Sequence, residues 1–285
     1  MVHWLEPSRG TQEEEVPLDP TTILADARSA LEATASRTAE LVRSLPDLNA
    51  PLPGQSTWTA REAAIHLVNY AGVYTDIANG MPSPVAIQAK EALAAENARR
   101  IAEVPERDPE KVTDLMTEGV TRFLDSTASR SGDQRIIFHE NTPMDLAGLV
   151  CICVGEHLLH GYDIATAVGS PWPIDPHHAE LVLYGYGPVY ANVLNPATTR
   201  GLTASYGIEL RGGPSFTVRF VDGTYSLEPP DSGAVDCTIS ADPVAYLLVA
   251  AGRMTQWEAI ALGLISAGGK RPELALGFVP LFVYP

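Results

Sequence analysis

Glu156 and His160 stand four residues apart in the run Cys153-Val154-Gly155-Glu156-His157-Leu158-Leu159-His160-Gly161-Tyr162-Asp163-Ile164. On a helix that spacing puts a carboxylate one turn from an imidazole on the same face, where the two can share a divalent metal or simply pair with each other. Leu149, Cys153, Ile164 and Ala167 fall on the same stripe, so the pair points toward an apolar interior, where a charged group needs a partner or a metal. His66, in Ala63-Ala64-Ile65-His66-Leu67-Val68-Asn69-Tyr70, also sits on an apolar face and is the candidate third ligand. Both readings have a plainer alternative: a surface ion pair for Glu156 and His160, and a satisfied core histidine for His66. His157 competes with Glu156 as a ligand, because it shares a face with His160 at three residues' spacing.

Two imidazoles and one carboxylate leave coordination positions open, which is the pattern of a catalytic rather than a structural zinc site. Such an ion holds a bound thiol or water as its anion near neutral pH. The set is not an HExxH motif, since the two histidines belong to different segments and no further Glu is placed as a base. Asp163, one turn beyond His160, can orient a ligand imidazole from behind or pair locally. His139-Glu140 reads as surface loop and His177-His178 as the start of a structural helix.

The elements that must position these residues are helical over the first 170 residues. Leu24, Ala27, Leu31, Ala35, Thr38, Leu41 and Leu45 recur at helical steps over 22–45. Thr59-Ala60-Arg61-Glu62 is a capping box that opens a second helix carrying His66 toward Ala78, with Trp58 stapling the approach. A third helix is expected over 85–103. Asp108-Pro109 opens a fourth and Thr142-Pro143 a fifth, which runs to Val168 with Gly169 as its stop. These predict a four-helix bundle over 19–170, preceded by a flexible acidic leader over 1–18. Gly169-Ser170-Pro171-Trp172-Pro173 marks a boundary. Beyond it, a helix is expected over 177–193 and strands over 203–210, 215–227 (folded at Asp222-Gly223) and 235–240. Three short helices follow, the first opened by Asp242-Pro243, the others over 256–262 and 272–281. The fold class is therefore α+β in two domains, a helical bundle and then a small antiparallel sheet covered by helices over 171–285.

The formal charge of −16 argues against nucleic-acid and anionic-membrane partners, which need basic patches, and favours a small-molecule role. Three cysteines form no disulfide framework, no apolar run reaches membrane-spanning length, and the first residues lack a signal-peptide core. A cytoplasmic protein is expected. Oligomeric state is not legible.

Trp58-Thr59, Glu62 and His66-Leu67, followed by Glu156, His160, Asp163-Ile164, Ala167 and Gly169, resemble the DinB-like metal-binding bundles. Among these the chain is most similar to the mycothiol-dependent maleylpyruvate isomerase family. Asp236-Cys237-Thr238-Ile239, Asp242-Pro243, Gly252-Arg253, Trp257-Glu258-Ala259, Gly263 and Ser266-Ala267-Gly268-Gly269 resemble the sterol-carrier-like domain that accompanies such bundles. Together these likenesses cover nearly everything beyond residue 20. They imply zinc on His66, Glu156 and His160, and mycothiol as a thiol cosubstrate. The thiolate would add to an electrophilic alkene or displace a leaving group; in the isomerase version the adduct rotates and expels it. They also imply an arginine fork for a dianionic substrate. Arg99, Arg100, Arg211, Arg219 and Arg253 are available, with Arg211 or Arg219 preferred as residues of the sheet. A non-enzymatic carrier of apolar ligands and a zinc hydrolase are the competing functions.

Overall fold

The computed structural model describes residues 19–53, 58–83, 90–231 and 235–283. The expected leader over 1–18 and the first turn of the third expected helix, 85–89, lie outside the described residues. Four long helices build the bundle: α1 (Pro20–Ser44), α2 (Ala60–Ala78), α4 (Pro109–Ser126) and α5 (Leu146–Ala167), with α3 (Lys90–Glu103) lying on α2. Asp19 and Asp108 cap α1 and α4, each with a proline in the first turn, and both arms of the Thr59/Glu62 capping box on α2 are made. Each such cap contributes about 1 kcal/mol by satisfying amides the helix itself cannot. Helix α5 is buried on nearly every side and packs along α1, α2 and α6 (Pro176–Tyr186), so it is the axis of the bundle.

The fifth helix starts later than its proline suggests. Thr142–Asp145 is a strand (β2) paired antiparallel with Arg135–Phe138 (β1), and Asp145 accepts from the Gly148 amide as the true cap. The β1–β2 sheet has only two strands, so β2 is an edge strand, where a proline is tolerated. Helix α6 also ends early, at Tyr186, because Gly187-Pro188 turns the chain into a 3₁₀ segment. It crosses α5 closely: a Cβ on Gly185 would lie 2.7 Å from the Gly148 carbonyl oxygen and 2.9 Å from the Ile152 nitrogen. Its other face meets α8 (Pro243–Ala250), which links the bundle to the second half.

After the single turn α7 (Pro196–Thr199), five strands form one sheet in the order β5-β4-β3-β6-β7. These are β3 (Ala204–Leu210), β4 (Ser215–Val221), β5 (Thr224–Glu228), β6 (Cys237–Ala241) and β7 (Ile265–Gly268). The β4–β5 turn is the expected one, with Asp222 at φ 50° and Gly223 at φ 80°, the left-handed pair of a tight hairpin. The sheet is antiparallel except at β3–β6, which are parallel, Tyr206 opposite Cys237. The chain leaves β5 at one edge and returns beyond β3 running the same way, so that junction cannot be antiparallel. Helix α9 (Gln256–Ala261) precedes β7. The expected last helix is instead two 3₁₀ turns, Pro272–Gly277 and Val279–Leu281, because Pro280 cannot sit inside an α-helix. Among the described residues no helix is long and apolar enough to cross a membrane.

Candidate metal centre

Helix α2 carries His66 to the face of α5 that bears Glu156 and His160. His66 Nε2 lies 3.4 Å and His160 Nε2 3.5 Å from the same oxygen, Glu156 Oε2. One ligand atom from each of the three lies within 4.8 Å of the others. Four-coordinate zinc with bonds of ~2.1 Å has ligand–ligand edges of ~3.4 Å, so these separations suit a single ion. The rings of His66 and His160 meet edge to face at 5.0 Å, and Trp58 tilts against both at 4.9 and 5.8 Å. Trp58 therefore walls the site as well as preceding the α2 cap. Each of the three side chains keeps 13–16% of its surface exposed, so the cluster is recessed yet reachable.

The second oxygen of Glu156 is fixed from α2. Tyr74 Oη donates to Glu156 Oε1 at 2.8 Å, leaving Oε2 to face the imidazoles. Burial alone would raise Glu156, but the hydrogen bonds and charge of His160 and His66 override it and hold the carboxyl well below its usual range. Burial pushes His160 down, partly opposed by Glu156. Metal binding requires this carboxylate ionised and both imidazoles neutral.

Asp163 comes to 3.8 Å from His160 Nδ1, beyond hydrogen-bond reach, and that buried nitrogen has no partner among the described residues. Its carboxylate is instead held by Arg253, Nε to Oδ1 at 3.1 Å and Nη2 to Oδ2 at 2.7 Å. The preferred arginines do not meet the triad. Arg211 donates to the carbonyls of Gly263 and Leu264, while Arg219 is taken by Glu228 at 2.9 Å and Asp231 at 2.8 Å. Arg99 and Arg100 pair with glutamates on their own helix. Only Arg253 reaches a residue that approaches the site, and nothing in its local sequence separates it from the other four.

His157 is not brought into the cluster. It is wholly buried against Tyr70, ring centroids 5.6 Å apart, and neither ring nitrogen has a partner among the described residues. Burial pushes its imidazole down to about 3. His139 is also buried, its Nδ1 against Ser83 Oγ and its ring against Tyr74 of α2 and Phe138, because the β1–β2 connection that carries it packs on α2 rather than standing free as a surface loop. Tyr74, the partner of Glu156, was legible in principle: it follows His66 by two helical turns on the same face. Cys151, Cys153 and Cys237 are buried, and burial raises all three thiols, so the chain holds no poised thiolate of its own.

Residues 12–165 match the family model described as mycothiol maleylpyruvate isomerase N-terminal domain. No curated protein matches the chain. In fold it is similar to a crystal structure titled mycothiol-dependent maleylpyruvate isomerase, at 15% identity over 88% of this chain and 95% of that one, with a TM-score of 0.50. A mutant of the same enzyme gives 13% identity over the same shares and a TM-score of 0.52. At these identities the likeness is one of fold.

Proposed function

We propose that this chain, which belongs to the mycothiol maleylpyruvate isomerase N-terminal domain family, is a zinc-dependent enzyme that uses mycothiol on an electrophilic small molecule, as a transferase or as an isomerase. Maleylpyruvate cis–trans isomerisation is one candidate reaction. The observation that carries the reading is the convergence of His66, Glu156 and His160 from two helices onto one point within a recessed, still reachable site. The metal-holding bundle, 19–170, and the α+β unit, 171–285, are the two domains of this reading.

His66, Glu156 and His160 would hold the ion, and three ligands leave a position free for a small molecule. When bound, zinc supplies the Lewis acidity that keeps a thiol ionised near neutral pH without abolishing its nucleophilicity. Tyr74 fixes which oxygen Glu156 presents, and Trp58 keeps both imidazole planes in place. Because the chain's own thiols are buried and held protonated, thiol chemistry here calls for an external thiol. Of the five candidate arginines Arg253 stands nearest the flank of the site. Its fork is held by Asp163 and its third nitrogen by the Ala251 carbonyl, so it braces α5 rather than offering a free fork to a substrate carboxylate.

Metal analysis of the purified protein beside His66→Ala and His160→Ala tests the centre: about one zinc per chain is expected in the parent and a stoichiometric loss in each variant. Retention of metal in both variants, or none in the parent, sinks the reading. Cobalt substitution then separates the chemistries, since mycothiol should shift the cobalt absorption bands. Full metal loading with no response to the thiol would favour a zinc hydrolase instead.

A further inference from the structure

A cavity of about 710 Å³ lies away from the triad, between the bundle and the sheet. Its walls are apolar: Ile23 of α1 and Leu181 of α6 on one side, Phe216, Val218 and Ile239 of the sheet on the other. Ile260 and Leu276 also line it while remaining 41% and 49% exposed. A concave apolar space with a few polar groups is the form of a small-molecule site.

The polar groups have one sign. Asp19, Asp26, Asp145 and Glu180 line the cavity, and no lysine or arginine is among its described lining residues. Two of the four are structural: Asp19 caps α1, while Asp145 caps α5 and accepts from Tyr184. Asp26 and Glu180 have no such duty. His177 stands between them, Nε2 3.4 Å from Asp26 Oδ2 and Nδ1 3.4 Å from Glu180 Oε2, so at most one positive charge is set against two carboxylates.

We infer that this cavity binds a hydrophobic amine, a ligand with an apolar body and a single cationic nitrogen, the nitrogen seated at Asp26 and Glu180. The apolar walls take the body, and the carboxylates favour a cation and repel the carboxylate of a fatty acid. The site is independent of the metal centre, which shares none of its lining residues.

Calorimetric titration of the full chain with n-dodecylamine, n-dodecanol and n-dodecanoate, each below its aggregation limit, tests the inference. The amine should bind at least about tenfold more tightly than the carboxylate. The double variant Asp26→Asn/Glu180→Gln, nearly isosteric at two half-buried lining residues, should cost the amine about tenfold and leave the alcohol within about twofold. Ser266→Trp, an exposed lining position on β7, fills the space without touching the acids and should weaken amine and alcohol together. Equal or tighter binding of the carboxylate, no binding of the amine, or amine binding unchanged by both variants overturns it; the last would mean adsorption to a chain of net charge −16.

Discussion

Arg253 and Asp163 form a two-point pair, at 2.7 and 3.1 Å, across 90 residues of sequence. The arginine follows α8 in the second half of the chain, and the aspartate lies on α5 one turn past His160. Asp163 is 9% exposed and Arg253 28%, so most of the pair is sheltered from water. The contact ties the sheet unit to the helix that carries two of the three candidate ligands, and it draws the carboxylate away from the His160 Nδ1 it was expected to serve.

Arg253→Ala leaves Asp163 charged, largely buried and unpaired, and should cost about 2–3 kcal/mol of unfolding free energy. Arg253→Lys keeps the charge but not the fork, and should recover only part of that. Urea melts read the stability and metal analysis the centre. Loss of stability with metal retained is expected; loss of metal at unchanged stability would show that Asp163 and Arg253 act on His160 after all.

Tyr74→Phe removes one hydroxyl and almost no volume. Glu156 Oε1 then loses its only described donor, and the carboxylate is free to rotate. Removing such an outer partner lowers metal affinity by about 10–100-fold, and the lost charge-assisted bond is worth about 1.5–3 kcal/mol. Competition with a chromophoric chelator measures the affinity. A variant that binds zinc as tightly as the parent would reduce Tyr74 to packing.

The bundle and the triad were legible because their signals are local. The Thr59/Glu62 box, the apolar stripe through Leu149, Cys153 and Ile164, and the four-residue spacing of Glu156 and His160 each fix geometry within a few turns of chain. What failed was not local. Thr142-Pro143 is a good helix opening taken alone, and only its ladder with Arg135–Phe138 makes it a strand. Strand β7 is mostly exposed and so lacks the alternation that reveals a strand. Arg253 was one arginine among five until the fold set it beside Asp163, and the cavity is assembled from seven or more separate segments. Pro280 was the exception, a local signal sufficient to break the expected last helix.

His157→Leu separates the two histidines that compete in the sequence. Two buried ring nitrogens without described partners cost free energy that an apolar side chain does not, so the variant should match or exceed the parent in stability, by up to about 1 kcal/mol. Its metal content should not change. Loss of zinc in His157→Leu, with zinc kept in His160→Ala, would exchange their roles.

The sheet unit carries a titration remote from the metal centre. Tyr206, on β3, is 2% exposed and packs its ring on Phe278 at 4.8 Å; burial, chiefly, pushes its hydroxyl up to about 12. The unfolded chain loses this proton near pH 10, while the folded chain holds it to about 12. Between those values the unfolded state binds fewer protons than the native state, so stability contributed by the neutral phenol is complete below pH 10 and is lost as pH rises toward 12. The loss is at most about 2–3 kcal/mol, at ~1.4 kcal/mol per pH unit. Tyr206→Phe should lie within about 1 kcal/mol of the parent at pH 7. From pH 10 to 12 it should fall less steeply, so that the two stability curves converge or cross. Urea melts across that range decide it, and parallel curves for parent and variant would show that Tyr206 ionises in the folded chain as readily as in the unfolded one.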